Sequence, residues 1–393
     1  MCGYSFTVFL SAFQLFPTAP FHILALGGGT SAAGLFLGVL TYASAFSAPV
    51  TGSLSDRFGS RRVLIVASVA ITGFTLLYAV VPSYQIMLPL VLVHGVFWSG
   101  LLTGSAAYTT NILPESRRGE GISYWGLSTI AAIAVAPSIG FWVFQYGWRV
   151  LCLETAALNV VMACIAWSLP PDSPRAVPAH PPHRRLIEWR VLVLSFTLFL
   201  YSFGYGGVTS FTALYADANG VSPKGIYLTA LAIVILFTRP VSGSLGDRFG
   251  YRRVLLPCLV LIATGLALLV FGGTKSWLVG SAIVFGAGFG TAYPTFAGYV
   301  MRNVSAARRG AAFGAILACF DTGIGTGSTA MGWIIGRHGF GAAFGTAAVL
   351  AALSLPYFVI ADRVVRRRRG GGYGRNGNGG GGENGTRSHG GTK

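Results

Sequence analysis

The run CFDTGIGTG at 319–327 sets a single carboxylate, Asp321, in an otherwise apolar stretch. An acid among glycines and alkyl side chains is costly to keep ionised, so it suits reversible protonation, the chemistry of a proton carrier. The plainer alternative is a structural acid held by hydrogen bonds from serine, threonine or backbone. His94 is the second candidate for proton exchange. Arg239 and Glu154 also interrupt apolar runs. Arg239, just before Pro240, is expected to pair with Asp247 or to snorkel, and to serve gating structure. Glu154 follows Arg149 closely and reads as half of a structural ion pair. There is no HExxH, no CxxC and no His/Cys/Asp/Glu group at metal-ligand spacing. Gly286-Ala-Gly-Phe-Gly290 reads as helix packing, since a phosphate loop would follow a strand. The expectation is therefore no enzyme, no cofactor and no metal.

The elements that carry these residues follow from composition. Of 393 residues, 53% are hydrophobic and 10% are charged, against about 25% charged in a soluble domain. Apolar runs of about 20 residues recur, the length of a membrane-spanning helix. They are apolar all round, which excludes a soluble bundle with polar helix faces. The alternation of a membrane β-barrel is absent. The reading is an all-α membrane protein with twelve spans: 4–26, 32–54, 63–82, 86–108, 120–145, 149–169, 190–216, 224–246, 254–272, 277–300, 310–335 and 340–361. The first span lacks a basic leader, which argues against a cleavable signal peptide.

The net charge of +17 is spread between apolar runs rather than gathered on one face, which argues against nucleic acid as partner. Twenty-three of the 28 Lys and Arg residues fall in the even connections and the tail; Arg149, Lys224, Lys275 and Arg337 fall in the odd ones, and Arg239 lies within a span. By the positive-inside rule this puts the even connections and both termini in the cytoplasm. The five cysteines lie in or beside apolar runs and read as small hydrophobes.

The stretch GSLSDRFGSRRVLI at 52–65 returns as GSLGDRFGYRRVLL at 243–256, an offset of 191 residues. At that offset Arg117-Arg118-Gly119 matches Arg308-Arg309-Gly310, and Pro49, Gly95 and Tyr108 match Pro240, Gly286 and Tyr299. The chain is therefore a six-helix unit duplicated in parallel. The expected domains are an N-terminal bundle (1–170), a Pro-rich basic linker (171–189), a C-terminal bundle (190–362) and a disordered basic Gly-rich tail (363–393).

These residues resemble the major facilitator superfamily of secondary transporters. The resemblance rests on a loop signature written twice, at Gly52, Asp56, Arg57, Gly59, Arg61 and Arg62 and at Gly243, Asp247, Arg248, Gly250, Arg252 and Arg253. It covers 4–361. With FGYGGVTSFTALYA at 203–216 and CFDTGIGTG at 319–327, the finer likeness is to the drug- and arabinose-efflux-type branch. The resemblance implies that the two loops gate alternating access, with Asp56 near the start of span eleven around Gly310. The family's efflux motif in span five appears in weakened form, with Ala136, Pro137 and Gly140 as packing positions. The usual arginine of span four is missing, with Val91 near its place.

In such a fold spans one, four, seven and ten line the cavity. That makes Gln14, His94, Trp98, Tyr201, Tyr205, Tyr293 and Thr295 the cavity candidates. Aromatics with few polar groups suit an amphipathic, neutral or cationic compound. The expected function is proton-coupled efflux of a small organic compound through the inner membrane by a monomer, with membrane lipid as its surroundings. The rival is proton-coupled uptake of a sugar or organic acid.

Overall fold

The computed structural model describes residues 1–113, 118–172, 189–302, 304 and 309–370. Among these the chain forms eleven helical runs and no strand: α1 (Cys2–Ala25), α2 (Thr30–Phe58), α3 (Ser60–Val80), α4 (Tyr84–Ile112), α5 (Arg118–Phe144), α6 (Trp148–Ser168), α7 (Trp189–Ala218), α8 (Ile226–Phe249), α9 (Tyr251–Phe271), α10 (Lys275–Arg302) and Arg309–Gly370. The last run breaks at Gly339, where φ is 78° and ψ 175°. Its arms are α11 (309–338) and α12 (340–370). Every run contains a stretch long and apolar enough to span a membrane, and helices satisfy their own backbone hydrogen bonds there. The twelve expected spans are thus present. Arg117 and Arg308, most of the linker (173–188) and the tail beyond 370 lie outside the described residues.

The connections carrying the repeated motif differ from the expected loops. α2 and α3 are separated by Gly59 alone, and α8 and α9 by Gly250 alone. Both glycines have positive φ, 91° and 88°, in a region of backbone space that is nearly closed to other residues. Asp56 and Arg57 therefore end α2, and Arg61 and Arg62 begin α3. The polar residues of the motif extend the helices beyond their apolar cores, and the glycine turns the chain in one step.

The duplication is visible in the packing. In the N-terminal half α1 packs on α5, α2 on α4 and α3 on α6; in the C-terminal half α7 packs on α11, α8 on α10 and α9 on α12. Small residues let these helices approach. A Cβ on Gly206 would overlap the Ile324 carbonyl, and one on Gly327 the Phe203 carbonyl, so α7 and α11 meet backbone to backbone. Hydroxyl and amide pairs join other helices: Tyr4 to Ser68 (3.0 Å), Thr51 to Ser99 (3.0 Å) and Asn159 to Thr75 (2.9 Å).

The halves meet along two seams. On one, Thr30 donates to the Gly332 carbonyl (2.8 Å), Ser328 to the Gly34 carbonyl (2.8 Å), and Tyr42 lies 2.7 Å from Thr326. On the other, Ser138 of α5 lies 2.8 Å from Thr229 of α8. All four contacts sit in the half of each helix remote from the repeated motif. At the motif end Gly52 and Gly243 face open space, and Phe46 and Phe237 are exposed. The two bundles are closed on the far side and parted on the motif side.

Candidate functional site

α7, α8, α10 and α11 bring one aromatic cluster together inside the C-terminal half. Tyr205 stacks on Phe289 with centroids 4.3 Å apart, and Tyr201 meets the same ring edge-on at 5.9 Å. Phe289 lies 6.0 Å from Phe320, and Phe320 lies 5.0 Å from Tyr293. The guanidinium of Arg239 stands 6.0 Å from the centre of the Tyr293 ring. Tyr293 is close enough to feel the charges of both Arg239 and Asp321. The Tyr201 hydroxyl and the Thr295 hydroxyl are buried without a hydrogen-bond partner.

Asp321 is half-buried, about 18 Å along α11 from Arg309. Among the described residues its carboxylate forms no hydrogen bond and no ion pair within 4.0 Å. Arg239 was expected near Asp247, but the Asp247 carboxylate accepts instead from the Tyr251 hydroxyl (2.7 Å). Arg239 points to the α7–α10 aromatics because it lies well inside α8, while Asp247 stands in the last turn. Phe289 and Phe320 were not singled out by sequence reading. Phe289 stands one helical turn before Tyr293, so projecting the face of α10 from Tyr293 would have reached it.

The N-terminal candidates are not gathered in the same way. Trp98 packs edge-on against Phe9 (5.6 Å) and Phe16 (5.9 Å) of α1. His94, one turn earlier, faces α3 instead: its Nδ1 lies 3.0 Å from the Tyr78 hydroxyl, and its ring stacks on Phe74 at 5.7 Å. The shared face expected for the pair is divided between two neighbouring helices. Gln14 is fully buried and donates from Nε2 to Glu154 Oε1 (3.2 Å). Glu154 therefore pairs with Gln14 across α1 and α6, not with Arg149, which is exposed. Ala136 is fully buried, the Pro137 carbonyl faces Gly225 of the other half, and Gly140 packs on Gln14.

The gating candidates form two matched corners. In the N-terminal half the backbone N–H of Arg61, in the first turn of α3, donates to Asp172 Oδ2 (3.1 Å), where a carboxylate is favoured by the helix dipole. The Arg61 side chain donates to the Trp167 carbonyl, and Tyr108 of α4 donates to the Pro170 carbonyl (2.9 Å). In the C-terminal half Arg252 Nε lies 3.5 Å from Asp362 Oδ2, and Tyr299 of α10 donates to Asp362 Oδ1. Asp172 and Asp362 are functional residues that sequence reading missed. They are 190 residues apart, one less than the repeat offset, so matching at 191 passes them by. The segment around Gly310, expected to receive Asp56, borders 305–308, which lie outside the described residues.

A family model described as Major Facilitator Superfamily matches residues 1–238 and again 194–378. Among curated proteins, the MFS-type transporter YhhS of Escherichia coli K12, itself uncharacterised, is 24% identical over 332 residues, with 82% of each chain covered. Among solved structures, a bacterial homologue of the human lysosomal transporter Spinster, in an inward-facing and occupied conformation, superposes with a TM-score of 0.76. That pair is 16% identical, covering 92% of this chain and 95% of the other. The nucleoside transporter NupG gives 0.74 at 16% identity, covering 93% and 98%. With the duplicated bundles, the glycine corners and a family match along nearly the whole chain, this protein belongs to the Major Facilitator Superfamily of membrane transporters.

Proposed function

We propose that this secondary transporter exports a small organic compound through the inner membrane in exchange for protons, with both termini in the cytoplasm. The observation that carries the reading is Asp321. Its carboxylate stands midway along α11 without an ion pair, beside the Tyr293–Phe320 end of the aromatic cluster. An uncompensated acid at that depth is a group whose charge is meant to change. The excess of arginine on the motif side supports a cytoplasmic placement of that side. In that orientation the present state, parted at the motif, loads the exported compound and releases the proton of Asp321 to the cytoplasm. Rocking the halves closed at the motif and open at the Thr30–Gly332 and Ser138–Thr229 seams would expose the same groups to the other side. Proton uptake there neutralises Asp321 and resets the cycle.

The test uses purified protein in proteoliposomes with a pH-sensitive dye trapped inside. Lipophilic cations, neutral drugs, organic acids and sugars are added under an imposed pH gradient, with wild type and Asp321→Asn in parallel. Substrate-dependent proton flux that is lost in a folded Asp321→Asn variant is expected. Flux that survives the substitution overturns the assignment of Asp321.

A further inference from the structure

Arg239 is a cation inside the C-terminal half with no anion to match it. A guanidinium cannot shed its proton, so burial must be offset by a partner. Each acid in this half is accounted for otherwise. Asp247 holds the Tyr251 hydroxyl, Asp217 pairs with Lys224 (2.8 Å), and Asp362 is engaged by Tyr299 and Arg252. Asp321 makes no ion pair. What surrounds the guanidinium is the face of Tyr293 and the charge-sensitive hydroxyls of Tyr201 and Tyr205. A single ring at 6.0 Å is at the limit of cation–π range and compensates weakly. Close by, the buried Tyr201 hydroxyl has a donor with nothing to receive it.

The duplication sharpens the point. The offset that matches Pro240 to Pro49 matches Arg239 to Ala48, and Asp321 to Ile130. The fold builds its other seam-side half without an arginine there, so neither topology nor the corner needs one. Arg239 also keeps some accessible surface, as does Tyr293, so the charge is reachable rather than sealed.

We infer that Arg239, with the hydroxyls of Tyr201 and Tyr293, is the subsite for the carboxylate of an organic anion whose apolar body lies on the Tyr205–Phe289 stack. The fork of the guanidinium fits a carboxylate in two-point contact, and the Tyr201 hydroxyl supplies a further donor. This reverses the sign of substrate expected from sequence, which placed Arg239 at the gate. The inference rests on the central cluster being the substrate site and names the charge of what it takes.

Three probes of matched shape test it: 2-naphthoate, 2-naphthalenemethanol and 2-naphthylmethylamine, titrated by calorimetry into detergent-solubilised full-length protein at pH 7.5 without any gradient. Wild type is expected to bind the carboxylate at least tenfold more tightly than the alcohol or the amine. Arg239→Gln is expected to weaken the carboxylate by about tenfold to a hundredfold and leave the alcohol unchanged, while Arg239→Lys keeps part of the preference. The wild-type comparison stands even if a variant fails to fold. No binding of the carboxylate, equal affinity for the three probes, preference for the amine, or a folded Arg239→Gln protein with unchanged naphthoate affinity overturns the inference. Anion preference without proton flux would sink only the exchange for protons; proton flux without anion preference would sink only the subsite.

Discussion

Arg252 Nε stands 3.5 Å from Asp362 Oδ2, tying the glycine corner that starts α9 to the end of α12. The N-terminal half makes the corresponding tie from Arg61 at the start of α3 to Asp172 just beyond α6. In both halves a tyrosine of the fourth helix, Tyr108 or Tyr299, reaches the same place. Each gate is thus fastened within its own bundle, so each bundle can rock as a unit.

Removing Asp362 should loosen the C-terminal bundle. Its side chain is 2% exposed and that of Arg252 is 38% exposed, so solvent screens much of the charge pair. The larger loss is the acceptor of the buried Tyr299 hydroxyl, about 1–3 kcal/mol. Asp362→Ala should therefore lower the thermal midpoint in detergent, and Asp362→Asn, which keeps an acceptor, should lower it less. Equal midpoints for the two variants would show that the charge, not the acceptor, matters.

The two corner glycines should respond unequally. Alanine at Gly250 meets open space but must hold a positive φ, at about 1–3 kcal/mol. Alanine at Gly59 bears the same strain, and its Cβ would also lie 2.5 Å from the Asp172 carboxylate. Thermal unfolding should rank wild type above Gly250→Ala, and Gly250→Ala above Gly59→Ala. The reverse order of the two variants would contradict the packing at Asp172.

Locking a seam should stop transport. Ser138 and Thr229 lie 2.8 Å apart, hydroxyl to hydroxyl, between the halves. In a background lacking the five native cysteines, Ser138→Cys with Thr229→Cys should cross-link under mild oxidant. Uptake into vesicles should cease and return on reduction. Full transport by the cross-linked protein would mean that this seam need not open.

His94 should prove structural. It is buried, bonded to Tyr78 and stacked on Phe74. His94→Gln should retain substrate-dependent proton flux within about threefold, since Gln can still meet Tyr78, while His94→Phe should destabilise by about 1–3 kcal/mol for the stranded hydroxyl. Loss of flux in a stable His94→Gln protein would move the coupling role from Asp321 to His94.

Much of this was legible in the sequence because it depends on composition and period. Runs of about 20 apolar residues dictate spanning helices in any surroundings, since no other open-ended form satisfies its backbone in lipid. A motif written twice at one offset dictates two like bundles. The single isolated acid, Asp321, announced itself by contrast with its neighbours.

What only the tertiary structure decided is which groups meet. Spacing set His94 and Trp98 on one face of α4, yet helix packing gave one to α3 and the other to α1. Arg239 looked like a companion of Asp247 because the two are two turns apart along α8, but side chains on one helix point where their neighbours allow. The corners at Asp172 and Asp362 escaped because a one-residue slip in the repeat hides them from an offset, while in space they occupy equivalent places. Sequence records order along the chain and the preference of each segment for lipid. Contacts between helices depend on crossing angles and on where glycines let backbones close, and those are fixed only when all twelve helices pack together.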